Sequence, residues 1–165
     1  MERLRQLFEE AGFSGVSTHL ASGNVLFTAG RGRAAALEAK IEAALASALG
    51  WEVATFLRTP AELAAVAAHQ PFPVEDVATA HAVHVAFLKQ PPTPEAQALL
   101  HGFRTPTDEL AAAGREIWWL CRVRSASSDL SGGGLERALG LVATFRNVTT
   151  VRAIAGRLAG RGGKT

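Results

Sequence analysis

Two short polar stretches carry the residue types best suited to holding an anion. Ser22-Gly23-Asn24 offers a hydroxyl, backbone N–H groups and a side-chain amide at consecutive positions, the kind of set from which backbone anion nests are built. Arg146-Asn147-Val148-Thr149-Thr150 offers a guanidinium, an amide and hydroxyls. This second stretch lies where alternation over Val142–Phe145 gives way to a helical face at Val151, Ile154 and Leu158. Its N–H groups are therefore expected at the positive end of a helix, where phosphate and carboxylate bind. Arg146 adds a planar, two-pronged donor. Both stretches also have purely structural explanations. Gly and Asn accept positive φ, so residues 22–24 suit a tight hairpin turn. Asn is a preferred N-cap, so Asn147 suits a helix start with Arg146 in solvent.

The other reactive side chains do not assemble. His81 and His84 are three apart on an alternating run, so they face opposite sides and cannot easily share a metal. The single cysteine, Cys121, excludes an intrachain disulfide and a cysteine-based zinc cage. It follows an aromatic run and is expected to be buried. No Gly-x-Ser-x-Gly elbow occurs. Gly162-Gly163-Lys164-Thr165 imitates the end of a phosphate loop, but Leu158 stands where its first glycine belongs. Gly132-Gly133-Gly134 is able to approach a ligand closely, yet lacks the spacing of a dinucleotide fingerprint. No metal and no cofactor are expected.

These residues must be positioned by a chain of 165 residues, enough for one domain or two small ones. Its 48% hydrophobic content suffices for a packed core. No apolar run reaches the length of a membrane span, and Met1-Glu2-Arg3-Leu4-Arg5 lacks the apolar core of a signal peptide. A cytoplasmic location away from membranes is the expectation. Net charge is only +2, but residues 115–165 carry +6 and residues 1–114 carry −4. The basic part is suited to an anion or nucleic acid. Scattered, solvated arginines explain it equally, because no Lys/Arg run with interleaved aromatics occurs.

Taken in order, Leu4, Leu7, Phe8 and Ala11 mark a helix closed by Gly12. A hairpin follows, with strands at Val16–Leu20 and Val25–Thr28. Leu37, Ile41, Leu45 and Leu49 mark one face of an Ala-rich helix ended by Gly50. Val53–Arg58 alternates and reads as a strand. Thr59-Pro60-Ala61-Glu62 is a capping box with Pro at the first helical position. Pro71–Ala80 reads as a loop between halves. His81–Leu88 is a strand, and Thr93 caps a helix that starts at Pro94. Glu109–Ala113 and Glu116–Cys121 are strands around Gly114-Arg115. Trp118 and Trp119 then point to opposite faces, which predicts one in the core and one partly exposed. Leu135–Leu139 is a helix, Val142–Phe145 a strand, and Val148–Leu158 a last helix. The expected class is α+β with two ferredoxin-like α/β plaits. They span residues 1–75, with a linking helix, and 76–158, with an extra C-terminal helix; residues 159–165 are expected to form a disordered tail.

Several segments also resemble the bacterial domain of unknown function 1697 family. They are Met1–Phe13, Ser22–Phe27, Arg58-Thr59-Pro60-Ala61-Glu62-Leu63, His84–Leu88, Gly114-Arg115-Glu116-Ile117 and Thr144-Phe145-Arg146-Asn147. The resemblance runs from Met1 to about Leu158 and implies two plait subdomains with no established activity. Three departures accompany it. Members begin with a hydrophobic strand and a Gly-containing loop, whereas this chain resembles the pattern only after them. The family's Ser-Lys-Leu corresponds to Ser128-Asp129-Leu130, and its Arg-Asn-Trp-x-Thr to Arg146-Asn147-Val148-Thr149-Thr150. The first plait is therefore expected to lack its central opening strand. That would leave Asn24–Thr28 and Val53–Arg58 with free edges open to self-association.

Two functional classes stay open. One is a module binding a small anionic or nucleotide-like ligand near Arg146-Asn147, with Ser22, Gly23, Asn24, Ser128, Thr149 and Thr150 as further candidate contacts. The other is a nucleic-acid or protein interaction module using the basic C-terminal part. The sequence shows no assembled nucleophile or acid–base pair, and whether the protein is an enzyme is left open.

Overall fold

The computed structural model describes residues 1–20, 23–124, 127–128 and 130–162. It forms two compact units, Met1–Leu57 and Arg58–Thr165. The division precedes the Pro71–Ala80 segment in which the sequence placed it. Arg58 and the helix after it make their contacts within the second unit, and Val74–Thr79 is itself helical.

In the first unit, helix α1 (Glu2–Glu10) leads to strands β1 (Ser14–His19) and β2 (Asn24–Thr28), followed by helix α2 (Ala34–Leu49). The helix signals act as expected. Gly12 follows α1 with φ +85, and Gly50 ends α2 with φ +83, conformations that a Cβ would strain. The stripe Leu7, Phe8, Ile41 and Leu45 packs with Phe13, Val25 and Phe27. Phe8, Phe13 and Phe27 form a tilted aromatic trio, with centroids 4.7 to 5.8 Å apart.

The sheet of this unit has two strands, β1 and β2, paired antiparallel. Residues 53–58 are not a strand. Their alternation is real, since Val53 and Leu57 pack on the core. Period-two burial, however, reports an extended chain with one covered face, not a ladder. Helix α2 supplies acceptors instead. The Thr55 N–H donates to Glu42 Oε1 (2.7 Å) and the Leu57 N–H to Glu38 Oε1 (2.8 Å). One helical turn rises about 6 Å per four residues. Two residues of extended chain rise about 6.6 Å. Carboxylates four apart on the helix therefore match amides two apart on the segment.

The second unit opens with α3 (Pro60–Ala68) and α4 (Val74–Thr79), then runs β3 (Ala82–Leu88), α5 (Pro94–Leu100), β4 (Asp108–Ala113), β5 (Glu116–Cys121), α6 (Gly132–Leu139), β6 (Ala143–Asn147) and α7 (Val148–Gly162). Its antiparallel sheet has the order β4-β5-β3-β6. Numbered within the unit this is second, third, first, fourth, the strand order of a ferredoxin-like plait. Thr59 forms the full capping box with Glu62, and Thr93 caps α5.

Helices cover both faces of this sheet. Ala86, Leu88 and Ile117 pack against Ala96 and Leu100 of α5 and Leu135 and Leu139 of α6. On the other face, Val83 and Trp118 meet residues of α4 and α7. Trp118 and Trp119 do point to opposite faces, but both are buried, at 2% and 5% exposure. The expectation of one exposed tryptophan assumed one open face. Residues 159–162, expected in a disordered tail, continue α7, and residues 163–165 lie outside the described residues.

Glu38 is 5% exposed. Replacing it with Ala leaves the Leu57 N–H without its acceptor, so Glu38→Ala should destabilise the protein by about 1–3 kcal/mol. Urea unfolding followed by circular dichroism measures this; an unchanged midpoint would show that the carboxylate holds nothing.

Candidate functional site

At the hairpin, Asn24 closes the turn, because its Nδ2 donates to the His19 carbonyl at 3.0 Å. His19 pairs with Asn24, so the connection is residues 20–23, one position earlier than the expected strand ends implied. Gly23 has φ +75, as that turn requires. Ser22 lies outside the described residues. The amide of Asn24 therefore serves the hairpin.

Arg146 and Asn147 do end a strand that leads directly into a helix. Asn147 Oδ1 accepts from the Thr149 N–H (2.9 Å) and the Thr149 hydroxyl (2.7 Å), capping α7. Arg146 is half-buried and directed along its own strand. Its Nη1 donates to Thr144 Oγ1 and to the Phe145 carbonyl, each at 2.7 Å. Burial lowers its pKa from the ordinary arginine value. Thr150 is half-buried in the first turn. The segment thus sets the direction of α7. Val148 and Arg152, one turn apart on that helix, share a face and line a cavity.

Ser128 belongs to a different cluster. Its hydroxyl donates to Asp108 Oδ1 (2.8 Å), and the Leu130 N–H donates to Ser128 Oγ (2.9 Å). Asp108, fully buried, also accepts from Trp119 Nε1 (2.7 Å), Thr107 Oγ1 (2.7 Å) and Thr105 Oγ1 (3.1 Å). Burial acts to raise the Asp108 pKa, but the donors from Thr107, Trp119, Ser128 and Thr105 outweigh it and the net shift is downward. Cys121 is buried, as expected. Burial and the nearby Asp108 charge push its thiol pKa up, so it is not poised as a nucleophile. The triple glycine has a packing role: a Cβ on Gly132 would lie 2.9 Å from the Phe145 ring. Position 129 lies outside the described residues. Among the described residues no group of three or more His, Cys, Asp or Glu is placed to hold a metal ion. No helix among them is long and apolar enough to cross a membrane.

The sequence reading missed the groove beside Trp118. A cavity of about 220 Å³ is lined by Phe72, Val77, Val83, Trp118, Val148 and Arg152, with His69 and Gln70 among the polar groups. A second, more open cavity of about 340 Å³ adjoins Arg58, Glu62, Arg115 and Glu116, and shares His69 and Trp118 with the first. Its charges are paired with each other. Arg58 Nε contacts Glu116 Oε1 at 2.6 Å and Arg115 Nη2 contacts Glu62 Oε1 at 2.7 Å. The exposed His69 ring lies 4.5 Å from the Trp118 ring, centroid to centroid. Trp118 Nε1 and His84 Nε2 are buried without a hydrogen-bond partner among the described residues. Buried indole N–H groups ordinarily find one. The available sequence signal was the pair of segments Arg58–Leu63 and Gly114–Ile117, whose charges complement one another, but 58 positions separate Arg58 from Glu116.

A two-unit α+β chain with a complete plait in its second unit is the class these observations define. Residues 1–118 match the family described as protein of unknown function (DUF1697), and the chain belongs to that family. A solved structure of a conserved bacterial protein, SP0830 from Streptococcus pneumoniae, is similar in fold. Its TM-score is 0.71 at 20% identity, over 96% of this chain and 88% of that one. No curated protein matches the sequence.

Two pH effects follow. Asp108, with a native pKa below its ordinary 3.8, stabilises the fold above that value and loses the contribution as pH falls through the native pKa. Asp108→Asn should cost about 3 kcal/mol or more at neutral pH and flatten the acid limb of a stability profile below pH 4 or so. His84 has its pKa lowered from 6.5, first by burial and then by His81. The unfolded chain therefore binds its proton first, and stability falls as pH drops below about 6.5. His84→Phe should remove that slope, as read by chemical denaturation at stepped pH; an identical slope in the variant would assign it to other groups.

Proposed function

We propose that the protein is a cytoplasmic small-molecule-binding protein whose ligand occupies the cavity formed by α4, β3, β5 and the first turns of α7. The supporting observation is the lining itself. Phe72, Val77, Val83 and Val148 make an apolar pocket, and Arg152 adds a cation to it. That combination suits a small organic anion, with few polar groups fixing its orientation. Neither Ser, Cys, Asp nor Glu is among the residues that line it. The anion-binding role expected at Arg146-Asn147 moves along α7 to Arg152, with Asn147 fixing the start of the helix that carries it.

The charge excess of residues 115–165 favours a second reading, contact with nucleic acid through the exposed Arg124, Arg137, Arg152 and Arg157. The two readings separate experimentally. Val148→Trp puts a larger side chain into the cavity. A thermal-shift screen of small organic acids should give hits that raise the melting temperature of the wild type and leave Val148→Trp unmoved. Hits that act equally on both proteins would remove the cavity from consideration. RNA or DNA binding that weakens steeply with salt would favour the second reading instead.

A further inference from the structure

The imidazole of His69 lies 4.5 Å from the Trp118 ring, centroid to centroid, tilted by 47°. Both cavities are lined by His69 and Trp118, so this ring pair borders each of them. His69 is exposed at the end of α3, whereas Trp118 is 2% exposed. One ring of the pair thus belongs to an exposed residue and the other to a buried strand residue. Trp118 is also incomplete, since its buried indole N–H has no acceptor among the described residues. A buried donor left in that state is destabilising, and a ligand bringing an acceptor would relieve it.

We infer, building on the cavity reading above, that the groove takes a planar aromatic carboxylate that displaces the His69 ring from Trp118. The position beside Trp118 already holds a ring, at 4.5 Å between centroids and 47° between planes. A flat aromatic group entering it stacks on the indole in place of imidazole. The remaining features call for acceptors. Trp118 Nε1 is a donor only. Arg152 uses its Nε in a 3.3 Å contact to the Ala67 carbonyl, and its guanidinium is the cation of the apolar cavity. No carboxylate side chain lines that cavity to repel an anion. In the adjoining one, Glu62 and Glu116 are already bound to Arg115 and Arg58. The ligand's carboxylate accordingly lies toward Arg152 and its ring over Trp118.

Salicylate serves as the probe, with benzamide as a neutral planar control and cyclohexanecarboxylate as a non-planar one. The indole N–H resonances of Trp51, Trp118 and Trp119 are followed in the full-length protein by proton–nitrogen NMR and assigned with Phe variants. Salicylate should shift the Trp118 indole resonance saturably and leave that of the exposed Trp51 in place. Cyclohexanecarboxylate and benzamide should each bind roughly tenfold more weakly or worse. Arg152→Gln should weaken salicylate by a similar factor without altering benzamide. His69→Ala, a surface change that should fold normally, should tighten salicylate severalfold because no ring then has to be moved. Saturable shifts of the Val83 methyls with the Trp118 N–H unmoved would overturn this inference and leave the cavity reading standing. Equal binding of benzamide and salicylate would overturn the carboxylate assignment. No response to any of the probes, in wild type or His69→Ala, would overturn both.

Discussion

The second unit depends on one buried cation. The Arg58 side chain is 4% exposed and its partner Glu116 is 10% exposed. Besides the 2.6 Å contact to Glu116, Arg58 Nη2 donates to the carbonyls of Leu88 and Arg115, at 2.9 and 3.1 Å. Its guanidinium also lies 5.2 Å from the Phe87 ring centroid. A buried charge is tolerated only when its donors are met in this way. The arrangement ties Arg58, two positions before α3, to the end of the β3–β5 ladder. From that anchor the capping box at Thr59 starts α3, and the helix ends at His69, beside Trp118. The ion pair and the ring pair thus lie at the two ends of one helix.

The same logic recurs wherever a polar group is buried. Asp108 meets side-chain donors from Thr105, Thr107, Trp119 and Ser128. Glu38 and Glu42 meet the amides of Leu57 and Thr55. These carboxylates act as acceptors for groups that regular secondary structure leaves over. Against that background the unpartnered Trp118 and His84 nitrogens are exceptions. Trp118 borders open space, whereas His84 packs against Trp119 at 5.3 Å between ring centroids.

Legibility followed the range of the interaction. Thr59 with Glu62, Thr93 with Ala96, Ser131 with Gly134 and Asn147 with Thr149 are contacts over two or three residues. Capping and turn signals of that range can be read directly from the chain. The burial stripes of α1 and α2 were legible for the same reason. The candidate contacts at Asn24, Ser128 and Arg146 were chosen for their chemistry, and each proved to be committed to a neighbour that the reading had not supplied.

The sequence alone thus determined the α+β class, most strands and helices, the caps that bound them and the family the chain belongs to. The elements and caps rest on local periodicity and short-range hydrogen bonds, which one stretch of chain specifies by itself, and the family on motifs spread along the chain. Tertiary structure decided the rest. It left 53–58 without a strand partner, since helix carboxylates 13 and 19 positions away took its amides. It buried both Trp118 and Trp119, because helices cover both faces of one sheet. It also brought His69, Trp118, Val148 and Arg152 around one cavity. Such groupings arise from which elements pack together, and no window of sequence contains that information until the chain has folded.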